Sequence, residues 1–295
     1  MTSAPPTKRW RLLAHNRDAV DQLARSLRVP PLVAQLLLNR GVGTTEHARR
    51  FLDCPLSGLY PPFMLPGVGE AADRILSAVA AGRRICVYGD YDVDGVTGSS
   101  ILLGCLSRLG ATADLHIPHR LTEGYGLNRD ALRQIAAVGA SVVVTVDCGI
   151  ASLEEAQEAR RLGLELIVTD HHEMKAELPD AAVLVHPRLP GTNYPFGQLC
   201  GAGVALKLAW ALAQKKCGGE KVNDVFREFL LDAVAMAALG VVADVVPLTD
   251  ENRIVVHYGL NRIKTKPPLG IDVLREVAKV APDDLRAQDI GFRLA

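Results

Sequence analysis

From residue 83 onward, short apolar runs alternate with segments of helical spacing, and this alternation constrains the fold more than any other feature of the chain. Strands are expected at 84–89, 113–117, 141–146, 164–169 and 182–186, with helices near 96–109, 128–138 and 151–162. Strands separated by helices of this length form βαβ units, and such units build a parallel sheet covered on both faces. The fold class is therefore α/β, a mostly parallel sheet flanked by helices. In such a sheet ligands bind outside the carboxyl ends of the strands, so the residues that end each strand come first in the search for function.

On either side of this region the pattern is helical. Before it, helices are expected at 18–27, from Pro30-Pro31 to Leu38, from Thr44 to about Phe51, and from about Glu70 to Ala81, with a proline- and glycine-rich loop at 54–69. Residues 1–9 are polar and are expected to fray. After residue 200, helices are expected at 203–216, 223–239, 251–263 and 270–280. The expected domains are a mostly helical region at 1–82, an α/β domain at 83–250, and a helical segment at 251–295. The chain has 295 residues and zero formal net charge, so it lacks the global basic signature of a nucleic-acid binder; a local basic cleft would suffice for that role. None of its six cysteines forms a C-x-x-C pair, which favours reduced core thiols and a cytoplasmic protein. No apolar run is long enough to span a membrane.

The first strand ends in YGDYDVDG (88–95). Asp90, Asp92 and Asp94 alternate, so an extended backbone would put all three carboxylates on one side. Their mutual repulsion needs protonation or a cation to relieve it, and at this edge a divalent cation is the expected answer. The third strand ends in Asp147-Cys148-Gly149 and the fourth in Asp170-His171-His172. Asp244 sits in the apolar run GVVADVVPL (240–248), where burial requires a partner. Taken singly, Asp147 also suits a helix cap and the two histidines also suit a surface. Together, carboxylates with imidazoles and without thiolates point to Mn²⁺ or Mg²⁺, and their number to two ions about 3.5–4 Å apart acting on a phosphoester.

The stretch after the second strand suits that substrate. Arg120 can hold a phosphate with two hydrogen bonds, His119 can donate another, and Tyr125 offers a face for a base. Gly124 and Gly126 would let a backbone approach closely. A glycine-rich loop with a solvated arginine is the plainer alternative. Gly201-Ala202-Gly203 opens a helix and suits either anion binding or close helix packing.

YGDYDVDG, VTVDCG, VTDHH and GVVADVVPL, in this order, resemble the DHH phosphoesterase superfamily. The IPHR–LTEGYGLN stretch (117–128) and the helical region before the first strand look like its RecJ branch of single-strand-specific DNA exonucleases. The resemblance implies 5′→3′ removal of nucleotides from single-stranded DNA with Mn²⁺ or Mg²⁺ in recombination and repair, alongside single-strand-binding protein and a helicase. It implies Asp92, Asp94, Asp147, His171 and Asp244 as metal ligands, with Asp147 bridging and Asp90 a ligand or close neighbour. Asp170 would orient an imidazole, His172 would meet the scissile phosphate or act as an acid, and Asn128 would join His119, Arg120, Gly124, Tyr125 and Gly126 at the substrate. Members of the family continue into a second lobe of the DHHA1 type, so the resemblance implies a chain truncated before it. The alternative enzyme is a DHH phosphodiesterase of short oligonucleotides or cyclic dinucleotides. A pyrophosphatase would want more cations at the site, and a replication scaffold on this fold would have lost the ligands.

Overall fold

The computed structural model describes residues 11–295, and the segment expected to fray, 1–9, lies outside them. Contacts divide the chain into two compact units, the first ending at Pro55 and the second spanning Leu56–Ala295.

In the first unit the described residues form three helices, α1 (Arg17–Leu27), α2 (Pro31–Asn39) and α3 (Thr45–Asp53). Asn16 and Thr44 start α1 and α3 by accepting the amides of Ala19 and His47. Pro31 opens α2, where its missing N–H costs nothing. Val20, Leu23, Ala34, Leu37, Val42 and Ala48 make a small core of their own.

The second unit begins with two 3₁₀ turns, Leu56–Gly58 and Pro62–Met64, inside the stretch expected to be a loop, and then α4 (Val68–Ala80). The alternating region follows as β1 (Ile85–Tyr88), α5 (Val93–Arg108), β2 (Ala113–His116), α6 (Arg129–Ala137), β3 (Val142–Thr145), α7 (Leu153–Arg161), β4 (Glu165–Thr169) and β5 (Val183–Val185). The chain closes with α8 (Gly201–Cys217), α9 (Asp224–Ala243), α10 (Asp250–Thr265), α11 (Leu269–Val277) and short turns to Leu294. The expected boundary after residue 82 differs from the division seen here, because α4 packs into the sheet's core through Val68, Ala71, Ala72, Ile75 and Ala78.

All five strands are parallel, in the order β2-β1-β3-β4-β5. Side chains alternate between the two faces. Ile85, Val87, Val142, Val144 and Ile167 enter the core beneath α4, α5, α8 and α9. Cys86, Tyr88, Val143, Leu166 and Val168 enter the core beneath α6 and α7. Residues buried on both faces explain why the central strands read as unbroken apolar runs. The order reverses direction between β1 and β3, and a reversal of this kind opens a crevice at the carboxyl ends of those two strands.

Candidate metal centre

Three turns meet at that crevice: the one after β1 carrying Asp90, Asp92 and Asp94, the one after β3 carrying Asp147, and the one after β4 carrying Asp170, His171 and His172. They are neighbours in the sheet although β2 intervenes in the chain. Asp244, which caps the carboxyl end of α9, joins them. Helix α9 runs about one turn beyond its expected end, and that extension carries Asp244 to the site.

The acids after β1 do not share one side of an extended segment. Asp92 is the N-cap of α5, accepting the Gly95 amide at 2.9 Å, and Asp94 already lies in the helix's first turn. Cap chemistry drives the helix back to Val93 and separates the three carboxylates. The ligand atoms of Asp90 and Asp92 cluster with Asp147, whereas those of Asp94 cluster with His171 and Asp244. A third cluster joins Asp147 with His171 and His172, so Asp147 and His171 each belong to two groups.

Asp94 settles the alternatives left open for Gly201-Ala202-Gly203. Its buried carboxylate accepts the amides of Gly201 at 2.6 Å and Ala202 at 2.9 Å, so the anion at the start of α8 is the protein's own. Close packing holds as well. A Cβ on Gly201 would come within 2.5 Å of Asp147 Oδ1, and one on Gly240 within 2.4 Å of Asp94 Oδ1.

Asp147 is not a helix cap, since α7 starts later, behind Ser152. It sits in the left-handed region at φ 66°, 1% exposed. Thr145 and Thr169, which the sequence reading passed over, fasten its surroundings: Thr169 Oγ1 donates to the Thr145 carbonyl at 2.6 Å, and Thr145 Oγ1 donates to the Cys148 carbonyl at 2.7 Å. Val245, directly after Asp244, takes φ 59°, a strained conformation for a β-branched side chain.

The electrostatics of the cluster are those of a site short of positive charge. Burial, then the charges of Asp94 and Asp92, push the Asp147 carboxyl up to about 11. Burial and the Asp94 charge push Asp244 up to about 7. Burial also raises Asp90 and Asp94 and lowers His171 to about 4, leaving a neutral imidazole. His171 Nε2 lies 3.0 Å from Asp147 Oδ1 and 3.7 Å from oxygens of both Asp94 and Asp244. The 3.0 Å approach is not aligned as a hydrogen bond. Asp90 Oδ1, Asp147 Oδ1 and His171 Nε2 are all buried without a hydrogen-bond partner. Buried oxygens and a neutral ring nitrogen that converge without donors fit a hard divalent cation.

Asp170 is satisfied by the protein. Its Oδ1 accepts the amides of His171 at 2.7 Å and His172 at 3.1 Å and meets His172 Nδ1 at 2.7 Å, while Oδ2 accepts the Ile150 amide at 2.9 Å. Burial alone would raise it, but the His172 hydrogen bond and charge, with those amides, hold it below its ordinary value. The same bond to Asp170 raises His172.

Of the residues expected at the substrate, Tyr125 reaches this site. Its hydroxyl lies 3.1 and 3.3 Å from the His172 ring nitrogens and donates to the Asp147 carbonyl at 3.4 Å. Arg120 stands over the Tyr91 ring, 5.1 Å from its centroid, and Tyr91 meets Tyr125 edge-on at 6.5 Å. Tyr91, unremarked in the sequence, thus links the arginine to the site. Gly124 and Gly126 take φ 81° and 84°, with open space where a Cβ would stand, so the left-handed turn accounts for both glycines. His119 turns its ring to Thr122 at 3.1 Å. Asn128 caps α6, its side-chain oxygen accepting the amides of Asp130 and Ala131.

A family model described as the DHH family, N-terminal domain, matches residues 84–238. The chain belongs to the DHH family. It is 45% identical over 290 residues to the single-stranded-DNA-specific exonuclease RecJ of Bacillus subtilis (strain 168), covering 97% of this chain and 35% of that protein. The crystal structure of RecJ in complex with Mn²⁺ from Thermus thermophilus superposes with a TM-score of 0.79 at 34% identity, covering 97% of this chain and 39% of that one. The Mg²⁺ complex from the same organism superposes at 0.66 with 31% identity, covering 97% and 36%. The chain therefore spans well under half the length of these relatives.

Proposed function

We propose that this chain carries the metal-binding lobe of a single-strand-specific DNA exonuclease that cuts from the 5′ end and serves recombination and repair in the cytoplasm. We further propose single-strand-binding protein and a helicase as its companions. The observation that carries the reading is the sharing of Asp147 between two ligand groups, Asp90–Asp92 on one side and His171–His172 on the other, with the Asp94–His171–Asp244 group adjoining. RecJ relatives bound to Mn²⁺ and to Mg²⁺ support both the class of cation and the substrate. No helix among the described residues is long and apolar enough to cross a membrane.

Asp90, Asp92, Asp94, Asp147, His171 and Asp244 would hold the cations, which when bound make water a better nucleophile and neutralise charge on a phosphoryl group. The chain's own residues do the rest. Asp170 fixes His172 through Nδ1 and favours its protonated form, in which the other nitrogen can donate to a phosphate oxygen or a leaving oxygen. Tyr125 meets that ring edge-on, its hydroxyl 3.1 Å from Nδ1. Arg120, exposed and backed by Tyr91, can grip a phosphate of the incoming strand.

The test is a panel of substrates at fixed Mn²⁺ and salt: a 5′-labelled single strand, the same strand in a duplex, a cyclic dinucleotide and pyrophosphate. The reading expects hydrolysis of the single strand, with Arg120→Ala raising KM while Mn²⁺ affinity stays unchanged. Preference for the cyclic dinucleotide or pyrophosphate would replace the exonuclease reading with that of a small-substrate phosphodiesterase or a pyrophosphatase.

A further inference from the structure

The turn that carries His171 and His172 is held from a second side by residues outside the family's acid and histidine cluster. β5 ends at Val185, and His186-Pro187-Arg188 follow. The His186 side chain is fully buried, at 0% exposure. Its Nδ1 accepts the Arg188 amide at 3.0 Å, so the proton of the neutral ring resides on Nε2, which lies 2.9 Å from the His172 carbonyl and donates to it. The Arg188 guanidinium crosses to the preceding carbonyl, Nη2 donating to His171 O at 2.7 Å, and braces on Glu173. The stem of Arg188 lies along Gly197, where a Cβ would come to 3.0 Å from its Cγ.

Every backbone group of the two-histidine turn is thereby taken. The amides of His171 and His172 go to Asp170, and their carbonyls go to Arg188 and His186. A turn whose donors and acceptors are all engaged cannot rotate its peptide planes without leaving one unsatisfied. We propose that His186 and Arg188 are positioning residues that lock this turn, aiming His171 at Asp147, Asp94 and Asp244 and His172 at Asp170 and Tyr125. The locking of the turn is independent of what the site cleaves; only its effect on turnover depends on the exonuclease reading.

The experiment compares His186→Leu, His186→Gln and Arg188→Met in the 295-residue chain by Mn²⁺ titration calorimetry, melting temperature, and kcat and KM on a single strand. Loss of a group that orients a metal ligand typically costs about 10–100-fold in metal affinity or activity, and His186→Leu is expected in that range, with kcat falling and KM moving by no more than about twofold. Gln presents an amide N–H near the place of Nε2, so His186→Gln should recover most of the loss. Arg188→Met keeps the stem on Gly197 and should lose about tenfold in Mn²⁺ affinity. Wild-type Mn²⁺ affinity in either His186→Leu or Arg188→Met overturns the proposal, as does a folded His186→Gln no better than His186→Leu. Should His186→Leu fail to fold, Arg188→Met and His186→Gln decide alone: wild-type affinity in the first, or a loss beyond about tenfold in the second, overturns it. If the wild-type chain leaves every strand uncut, the exonuclease reading falls while the Mn²⁺ titrations still judge the lock.

Discussion

Asp147 and Asp170 occupy equivalent places, each just beyond the end of a central strand, each 1% exposed, one strand apart in the same sheet. Their chemistry is opposite. Asp170 is surrounded by donors and is held below its ordinary value. Asp147 is surrounded by Asp94, Asp92, Asp170 and Asp244 and is pushed up to about 11. Burial is the same for both; what differs is whether the protein supplies hydrogen-bond donors. A buried carboxylate with its donors in place is part of the scaffold. One left among acceptors is incomplete without a cation, and the pair separates structural acid from ligand more surely than sequence position does.

The largest effect expected from breaking this contrast is at Asp147. Asp147→Asn keeps the shape and removes the charge, so Mn²⁺ affinity should fall by more than the ~10–100-fold that loss of an outer partner costs. The metal-free protein should meanwhile melt higher near neutral pH, because the cost of keeping this buried carboxyl among other acids, protonated or charged, is gone. Calorimetry and a melting curve in EDTA check both, and a lower metal-free melting temperature would mean that Asp147 is a scaffold acid like its neighbour.

Asp170→Asn should do the reverse. Hydrogen bonds to a charged group contribute about 1.5–3 kcal/mol each, and a unit of this size shifts by roughly 2–4 °C per kcal/mol. A fall of about 5–10 °C in the metal-free melting temperature is expected. An unchanged melting temperature would remove the distinction drawn here.

Gly201→Ala probes the packing between the two behaviours, since its Cβ would press on Asp147 Cβ and Oδ1 at 2.5 Å. Overpacking of this kind costs about 1–3 kcal/mol, and Mn²⁺ affinity should fall with it. Stability lost with Mn²⁺ affinity intact would show that α8 can shift without disturbing the acid.

The pH dependence of the metal-free chain sharpens the comparison further. Asp147 and Asp244 have folded pKa values, about 11 and about 7, above the ordinary 3.8, so the folded state holds their protons more tightly than the unfolded state does. Their effect is a loss of stability as pH rises from about 4, levelling for Asp244 above 7 and continuing toward 11 for Asp147. Asp170, lowered, contributes stability that is present above the ordinary 3.8 and lost as pH falls below it. Melting temperatures in EDTA should therefore decline from mildly acid to alkaline pH, and Asp147→Asn should flatten that decline. Mn²⁺ binding near neutral pH should release protons, visible as a buffer-dependent heat. A melting temperature that rises toward alkaline pH would contradict the assignment.

The smallest effect is expected at the rim. Tyr125→Phe removes the hydroxyl near His172 while keeping the ring, and should cost about 0.5–1.5 kcal/mol in transition-state stabilisation on a single strand, with Mn²⁺ affinity unchanged. A loss of Mn²⁺ affinity would place Tyr125 with the ligands instead.

The sequence alone determined the sheet and its acid-bearing edge. Val142-Val143-Val144 and Leu166-Ile167-Val168 read as buried strands because apolar residues on both faces leave no other placement, and each run ends in a residue of the site. It also supplied Asp244, conspicuous as a charge in an apolar run. Tertiary structure decided the rest, because that rest depends on groups far apart in the chain. Only the fold shows that the start of α8 gives its amides to Asp94, more than a hundred residues away, and that α5 begins at Val93 and divides the three acids between two clusters. The same holds for Asn128, whose side-chain oxygen caps α6, and for His186 and Arg188, which hold backbone carbonyls. Backbone hydrogen bonds carry no side-chain signature at their accepting end, so the residues that hold this site through them stayed silent in the sequence.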